Sequence, residues 1–170
     1  MTVHRFEASR RTEEQWAPAL DAWLLQHYEV RTSTTAENMA GVDRWLTRPD
    51  GTATSVDYKV DERSAETGNY FVETVSNDVT GSPGWALKDG GAEFVVYFTP
   101  PERAVVIESA TLRDAVPAWR LQYPERTADN GTYRSHGLLV PTWEVEAVCC
   151  YVADLRCDGP VMEPREEHDG

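Results

Sequence analysis

The amino-acid sequence predicts an α/β domain in which helices flank a central mixed β-sheet. Two observations support this fold class. Segments rich in β-branched and aromatic residues alternate with segments whose apolar residues recur at helical spacing. The chain has 170 residues, 41% of them hydrophobic, which suits one compact domain with a substantial core. We therefore expect a single domain over residues 1–157 and a short tail over residues 158–170.

The first predicted element is an amphipathic helix that begins at a capping box, Thr12–Gln15. After this box, apolar residues recur at intervals of three and four: Trp16, Leu20, Trp23 and Leu24. Pro18 would lie near the first turns of the helix, where a proline is tolerated. A polar stretch over residues 32–38 follows, in which we expect a short helical turn that carries Glu37.

A β-hairpin is the clearest signal in the sequence. Residues 42–48 and 52–60 are rich in β-branched and aromatic residues, and the Pro49-Asp50-Gly51 tripeptide between them is typical of a turn. A third strand is predicted over residues 69–76. The turn-forming residues 77–84 then end it.

The second half of the chain is predicted to hold further strands and helices. In order, these are a short helix at 85–92, strands at 93–99 and 103–108, a helix that starts at Ser109, an extended segment at 137–140 and a helix at 142–153. Leu112, Val116 and Trp119 supply the apolar face of the Ser109 helix. Pro117 should kink or end that helix, because proline removes a helical hydrogen bond.

The formal net charge of −13 argues against a nucleic-acid-binding function, because binding to phosphates is driven by clusters of Lys and Arg. Part of the excess lies in residues 158–170, which hold five acidic residues and one arginine and are typical of a disordered acidic tail. A cluster of carboxylates can also bind a divalent cation that neutralises it. Acidity therefore does not exclude a metal-dependent enzyme.

The sequence contains no signal for a membrane. No apolar run approaches the roughly 20 residues that a membrane-spanning helix needs. The first residues lack the apolar stretch of a signal peptide. We therefore expect a soluble, cytoplasmic protein.

Other types of site have little support. The four histidines are scattered, and the motifs of hydrolase triads and nucleotide-binding loops are absent. The three cysteines match neither a disulfide framework nor a metal-binding pair, and we expect buried thiols at Cys149, Cys150 and Cys157. The six tryptophans are expected in the core rather than as platforms for stacking bases.

Alternation along the second hairpin strand groups its polar residues. Side chains of a strand alternate between faces, so Asp57 and Lys59 project from one side while Val56 and Tyr58 project toward the core. The hairpin partner can place Asp43 next to Asp57. Two carboxylates suit a hard cation such as Mg²⁺, and a neighbouring ammonium suits phosphodiester hydrolysis, because it can orient water or neutralise charge in the transition state.

The simpler alternative is that Asp57 and Lys59 form a surface ion pair on an edge strand. The scarcity of lysine favours the site. Of the 16 Lys and Arg residues, only Lys59 and Lys88 are lysine. A compact ammonium suits a position beside a metal and a phosphate, where arginine is a poor geometric substitute.

The segments Gly41-Val-Asp43 and Ser55-Val-Asp57-Tyr-Lys59 resemble the G-x-D and D-x-K core of PD-(D/E)XK nucleases, in particular RecB-type domains and small phage or mobile-element members. The proline that often precedes the first acid is absent. The tight match covers about 20 residues, and a weaker one in the order of elements extends over residues 41–108.

This resemblance implies a restriction-endonuclease-like domain and a nuclease that uses Mg²⁺ or Mn²⁺. It implies that Asp43 and Asp57 are the metal-binding acids, that the backbone carbonyl of Tyr58 is a further metal ligand, and that Lys59 is the catalytic lysine.

Three further residues are candidates for the site. Glu37 lies just before the motif, where many family members carry a helical acid near the metal, although an exposed helical glutamate is common. Glu73 lies in the middle of a strand, so its carboxylate must face either solvent or a polar site beside Asp57 and Lys59. Lys88 could contact a substrate phosphate or be a solvated surface lysine.

Two functional hypotheses follow. The first is a metal-dependent hydrolase of DNA, or with less support RNA. The second is a non-catalytic relative that binds a protein or nucleic acid, which the net acidity favours. A homodimer or a basic protein partner could assemble a basic cleft and reconcile the charge with nuclease activity; the candidate arginines are Arg5, Arg10, Arg11, Arg44 and Arg48.

Overall fold

The computed structural model describes residues 4–155 of the chain, so the predicted acidic tail at 158–170 and Cys157 lie outside the described residues. The helices are α1 (His4–Leu24), α2 (Thr35–Met39), α3 (Ser64–Thr67), α4 (Ser109–Gln122) and α5 (Thr142–Val148). The strands are β1 (Glu29–Thr32), β2 (Arg44–Thr47), β3 (Ala53–Val60), β4 (Asn69–Asn77), β5 (Ser82–Pro83), β6 (Phe94–Thr99), β7 (Arg103–Glu108), β8 (Glu125–Asp129), β9 (Arg134–Pro141) and β10 (Tyr151–Asp154).

A six-stranded sheet forms the centre of the fold, in the order β1-β2-β3-β6-β7-β10. Strand β3 pairs in parallel with β6, while the other neighbouring strands are antiparallel. The predicted mixed α/β architecture with a central mixed sheet and flanking helices is therefore confirmed. None of the helices in the described part of the chain has the length and apolar character that a membrane span requires.

A second, antiparallel sheet has the order β5-β4-β9-β8. The sequence predicted one central sheet and did not indicate this second sheet, to which β4 belongs. The reason is that β4 pairs with β9 over most of its length, from Asn69–Pro141 to Val75–His136. Only the tertiary structure makes this partner available, because about 60 residues separate the two strands along the chain.

The two faces of the central sheet pack against different layers. On one face, α1 covers the strands, and Leu20 and Trp23 pack with Val56 and Tyr58 of β3. On the other face, β6 and β7 pack against the second sheet and α4, in a core that includes Val95 and Tyr97 of β6, Tyr70 and Val72 of β4, and Leu112, Val116 and Trp119 of α4. Residues of β3 that point away from α1 therefore enter the space between the two sheets.

Most local predictions are confirmed. The hairpin of β2 and β3, the third strand β4, the strands β6 and β7, the turn of helix α2 and the extended segment within β9 all form where the sequence indicates. Helix α4 begins at Ser109 and continues through Pro117 to Gln122, so the proline does not end it. Cys149 is buried and its thiol donates to the carbonyl of Glu146, while Cys150 is partly buried.

Two helix boundaries and one whole helix were predicted wrongly. Helix α1 already includes His4, so the Thr12–Gln15 box lies inside the helix and Pro18 lies well beyond its first turns. Residues 85–92 form turns rather than a helix, because Ala86 N–H donates to the carbonyl of Glu73 and ties the segment to β4. Helix α5 ends at Val148. The residues after it do not extend the helix but form β10, which pairs with β7.

Candidate metal and active site

The site lies just before β2 begins, beside the part of β3 that continues past it. The last residue pair between these strands is Arg44–Val56, so the edge of β3 beyond Val56 is not paired by β2. Asp43 occupies this position. Its N–H donates to the carbonyl of Val56 over 2.9 Å. Its Oδ2 accepts a hydrogen bond of 2.8 Å from the N–H of Tyr58, so a carboxylate replaces the missing strand partner.

The backbone of Tyr58 points toward Asp43. Because the N–H and C=O of a strand residue point to the same side, the Tyr58 carbonyl is directed to the same edge of β3 as its N–H. The side chain points to the face of the sheet that α1 covers, where its hydroxyl donates to Asp21 and the guanidinium of Arg44 lies over its ring. The Tyr58 carbonyl is thus directed to the edge at which Asp43 lies.

Asp57 and Lys59 project into the space between the sheets. They pair in register with Val95 and Tyr97 of β6 and share the face of those residues, as the alternation predicts. Asp57 is only 7% exposed. The Lys59 Nζ atom donates to Asp57 Oδ1 over 2.9 Å, so the two residues form a largely buried ion pair.

The carboxyl groups of Asp43 and Asp57 lie next to one another. Burial raises the pKa of Asp57 to about 7, against the opposing effect of Lys59. The negative charge of Asp43 and a hydrogen-bonding interaction between the two carboxyl groups raise it further.

Lys59 remains charged in this environment. Burial alone would lower the pKa of its ammonium group, but Asp57, Glu13 and Asp43 together raise that pKa above its ordinary value. A lysine held in the ammonium form cannot accept a proton from water. It can donate hydrogen bonds and neutralise negative charge.

Glu13 is a member of the site that the sequence did not indicate. Its Oε1 lies 3.9 Å from Lys59 Nζ. Burial raises the pKa of Glu13, Lys59 opposes this, and Asp43 adds to it. Glu13 belongs to α1, so this contact links the helix on one face of the sheet to a side chain of β3. The sequence held a weak signal for this residue. Glu13 lies on the same helix face as Trp16 and Leu20, where an acidic residue interrupts an apolar pattern.

Glu73 approaches the site from the second sheet. It lies at a bulge in the pairing of β4 with β9. Burial raises the pKa of its carboxyl, while Lys59 and a hydrogen bond from the N–H of Trp85 oppose the shift. The turn that supplies this N–H packs so closely on β4 that a Cβ at Gly84 would clash with the backbone oxygen of Glu73. The side chain of Glu73 is partly buried, and its carboxyl lies within range of the charge on Lys59.

Lys88 lies beside the site without joining the ion pair. Its side chain and those of Asp57 and Trp85 line a small cavity, together with Gly41. Its Nζ donates to the carbonyl of Met39 over 2.9 Å, at the end of α2. This hydrogen bond ties the segment that carries Lys88 to the loop between α2 and Asp43.

Glu37 has a different environment from the other acids. It forms a capping box with Thr34 at the start of α2, and its carboxylate accepts hydrogen bonds of 2.9 and 3.1 Å from Arg31. The hydrogen bond from Arg31, assisted by Thr34, lowers the pKa of Glu37 to about 2. The structure does not bring Glu37 together with Asp57 and Lys59.

The oxygen atoms of the site suit a hard cation. Among residues 4–155, no group of three or more His, Cys, Asp and Glu side chains is arranged to hold a metal ion. The available donors are the carboxylates of Asp43 and Asp57 and the carbonyl of Tyr58. Mg²⁺ commonly takes one or two carboxylates from a protein and fills its other positions with water and phosphate, so this donor set fits Mg²⁺ or Mn²⁺.

Comparison of the chain with protein families, with curated proteins and with solved structures finds no match. The geometry of the site and the chemistry of its residues are therefore the basis for a functional conclusion.

Proposed function

We propose that the chain is a metal-dependent nuclease of the PD-(D/E)XK type, with a restriction-endonuclease-like domain, that hydrolyses phosphodiester bonds of DNA or, with less support, RNA. One observation carries this proposal. Asp43, Asp57 and Lys59 converge at the unpaired edge of β3, where two carboxyl groups adjoin and an ammonium group contacts one of them.

Each residue of the site would have a separate role. Asp43, Asp57 and the Tyr58 carbonyl would hold Mg²⁺ or Mn²⁺. When bound, such a cation supplies Lewis-acid polarisation of the phosphoryl oxygens. Lys59 orients the attacking water or donates to a phosphoryl oxygen, so that its charge offsets the charge that develops as water attacks in line at phosphorus. Glu13 would help to keep the Lys59 ammonium group charged and in place, and Glu73 lies within range of the same charge.

The test is cleavage of linear, circular and branched DNA, and of RNA, in the presence of Mg²⁺ or Mn²⁺. Lys59→Ala and Asp57→Asn should each abolish cleavage. Asp114→Asn is a matched control, because Asp114 is an exposed aspartate on α4, away from β3. Cleavage that survives both site substitutions would contradict the roles assigned to Asp57 and Lys59.

A non-catalytic binding module is the second candidate function. The net charge of −13 supports it, and so does the use of arginines in ion pairs. In the described part of the chain, Arg10 pairs with Glu14, Arg31 with Glu37, Arg44 with Asp21 and Arg103 with Glu146. Calorimetric titration with Mn²⁺ separates the candidates, because a binding module without a metal site would show no saturable metal binding even with DNA present.

A homodimer or a basic partner would be needed to attract a phosphate backbone strongly.

A further inference from the structure

The Asp43 carboxylate is held by hydrogen bonds at both of its oxygens. Tyr58 N–H donates to Oδ2, as described above, and the amide Nδ2 of Asn38 donates to Oδ1 over 2.7 Å. Distances of about 2.7–2.9 Å are typical of charge-assisted N–H···O bonds to an ionised carboxylate. The two donors come from different elements, β3 and α2, so together they determine both the position and the plane of the carboxylate.

The helix that carries Asn38 is fixed independently of the site. Its first turn has the capping box of Thr34 and Glu37, and Arg31 binds the Glu37 carboxylate. Its last turn leads directly to Asp43, because Gly41 N–H donates to the Asn38 carbonyl and Val42 N–H donates to the Glu37 carbonyl. The Asn38 amide is therefore presented to Asp43 from a short, doubly anchored helix.

Two hydrogen bonds do not use all the acceptor positions of the Asp43 carboxylate. An ionised carboxylate can accept about four hydrogen bonds or metal contacts, and Asn38 and Tyr58 use one at each oxygen. Without the Asn38 donor, Oδ1 would lose one of its fixed contacts, and repulsion from Asp57 could rotate the carboxylate about its terminal torsion, which is soft.

We infer that Asn38 is a positioning residue, which holds the Asp43 carboxylate in the orientation that cation binding requires. Asn38 itself touches neither cation nor substrate. The effect of Asn38 on cation binding rests on the proposed function. The hydrogen bond by which Asn38 orients Asp43 does not. Hydrogen-bond partners of metal ligands typically contribute about 10- to 100-fold to metal affinity or activity.

The experiment compares Asn38→Ala with the wild type by two measurements. Alanine removes the donor and favours helix, and Asn38 is exposed, so the variant should fold. In the metal-free protein, the Tyr58 amide resonance should shift and its hydrogen exchange should become faster, because its acceptor has lost its second contact. In calorimetric titration with Mn²⁺, the dissociation constant should rise about tenfold. Thr35→Ala is the matched control, an exposed residue at the start of the same helix.

The outcomes separate the two proposals. A Tyr58 resonance that does not move in Asn38→Ala overturns the positioning role. An unchanged Mn²⁺ affinity in this variant, when the wild type binds Mn²⁺, also overturns it. If the wild type binds no Mn²⁺, the proposed function fails, and the Tyr58 resonance still decides whether Asn38 holds Asp43. A loss of affinity that Thr35→Ala reproduces would assign the effect to α2 as a whole and overturn the role of the Asn38 amide.

Discussion

Asp57 and Lys59 are both largely withdrawn from water, and burial acts on them in opposite ways. It favours the neutral form of each group, while their mutual attraction favours the charged forms. For Lys59 the surrounding carboxylates prevail, and the ammonium group keeps its charge. For Asp57 burial prevails, and the pKa is raised to about 7. At the scale of the residue, the site thus combines a permanent positive charge with a carboxyl whose charge depends on pH.

Ionisation of Asp57 should destabilise the metal-free protein. The pKa of this carboxyl is raised from 3.8 to about 7 in the folded state, so the folded state binds the proton more tightly than the unfolded state. The free energy of unfolding should therefore decrease as pH rises from about 4 to about 7 and change little above that. Between pH 5 and pH 8 the expected decrease from this group is about 2–3 kcal/mol.

Asp57→Asn is the variant that isolates this effect, because it keeps the shape of the side chain and cannot ionise. Denaturant unfolding in EDTA at pH 5 and pH 8 would give the free energy of unfolding of both proteins. The wild type should lose stability relative to Asp57→Asn between these two pH values. A difference between the proteins that is the same at both pH values would show that Asp57 ionises as easily in the folded state as in the unfolded state.

At the scale of the element, short helix α2 explains the position of Asp43 better than β2 does. The strand begins only at Arg44, and Asp43 precedes it. The helix supplies the amide of Asn38, and the carbonyl of Met39 binds Lys88. Glu37 contributes to this element as a capping residue. Its position in the sequence suits either a capping residue or a metal-binding acid.

Two substitutions at Glu37 distinguish capping from metal binding. A glutamine at this position retains the capping box, because its side chain can still accept from the N–H of Thr34. We expect Glu37→Gln to keep the Mn²⁺ affinity of the wild type, and Glu37→Ala to weaken it through disorder of α2. Isothermal titration calorimetry of both variants measures this. A loss of about tenfold or more in Glu37→Gln would instead indicate that the carboxylate acts on the metal.

At the scale of the whole molecule, the charge limits how a nucleic acid can bind. The net charge is −13, and four arginines of the described residues form ion pairs with acidic side chains. The lysines near the site are Lys59 and Lys88. Long-range attraction of DNA is therefore weak, and affinity would depend on the cation and on these two ammonium groups.

The salt dependence of DNA binding should accordingly be shallow. Each phosphate contact contributes about 0.9 to the slope of log affinity against log salt. Two contacts, by Lys59 and Lys88, predict a loss of only about tenfold between about 50 and 200 mM KCl. Fluorescence anisotropy with labelled DNA and Mn²⁺ measures this slope. A loss of about a thousandfold would indicate many more phosphate contacts, as in a dimer that assembles a basic cleft.

Local periodicity was sufficient to predict the hairpin and the shared face of Asp57 and Lys59. Alternation of side chains is a property of each strand, and the Pro49-Asp50-Gly51 turn joins β2 and β3 over a short distance, so Asp43 could be placed near Asp57 from the sequence. The same reasoning predicted β6, β7 and α4. These features depend on interactions between residues close in the chain.

Only the tertiary structure decided the rest of the site and the arrangement of the sheets. Glu13 reaches Lys59 across 46 residues of sequence, and Glu73 belongs to a sheet whose second partner, β9, lies far along the chain. Asn38 lies close to Asp43 in sequence, but its amide reaches the carboxylate only because of how α2 is anchored. Such contacts depend on how separate elements pack. Composition and periodicity describe each element alone, so they do not specify which side chains of different elements meet.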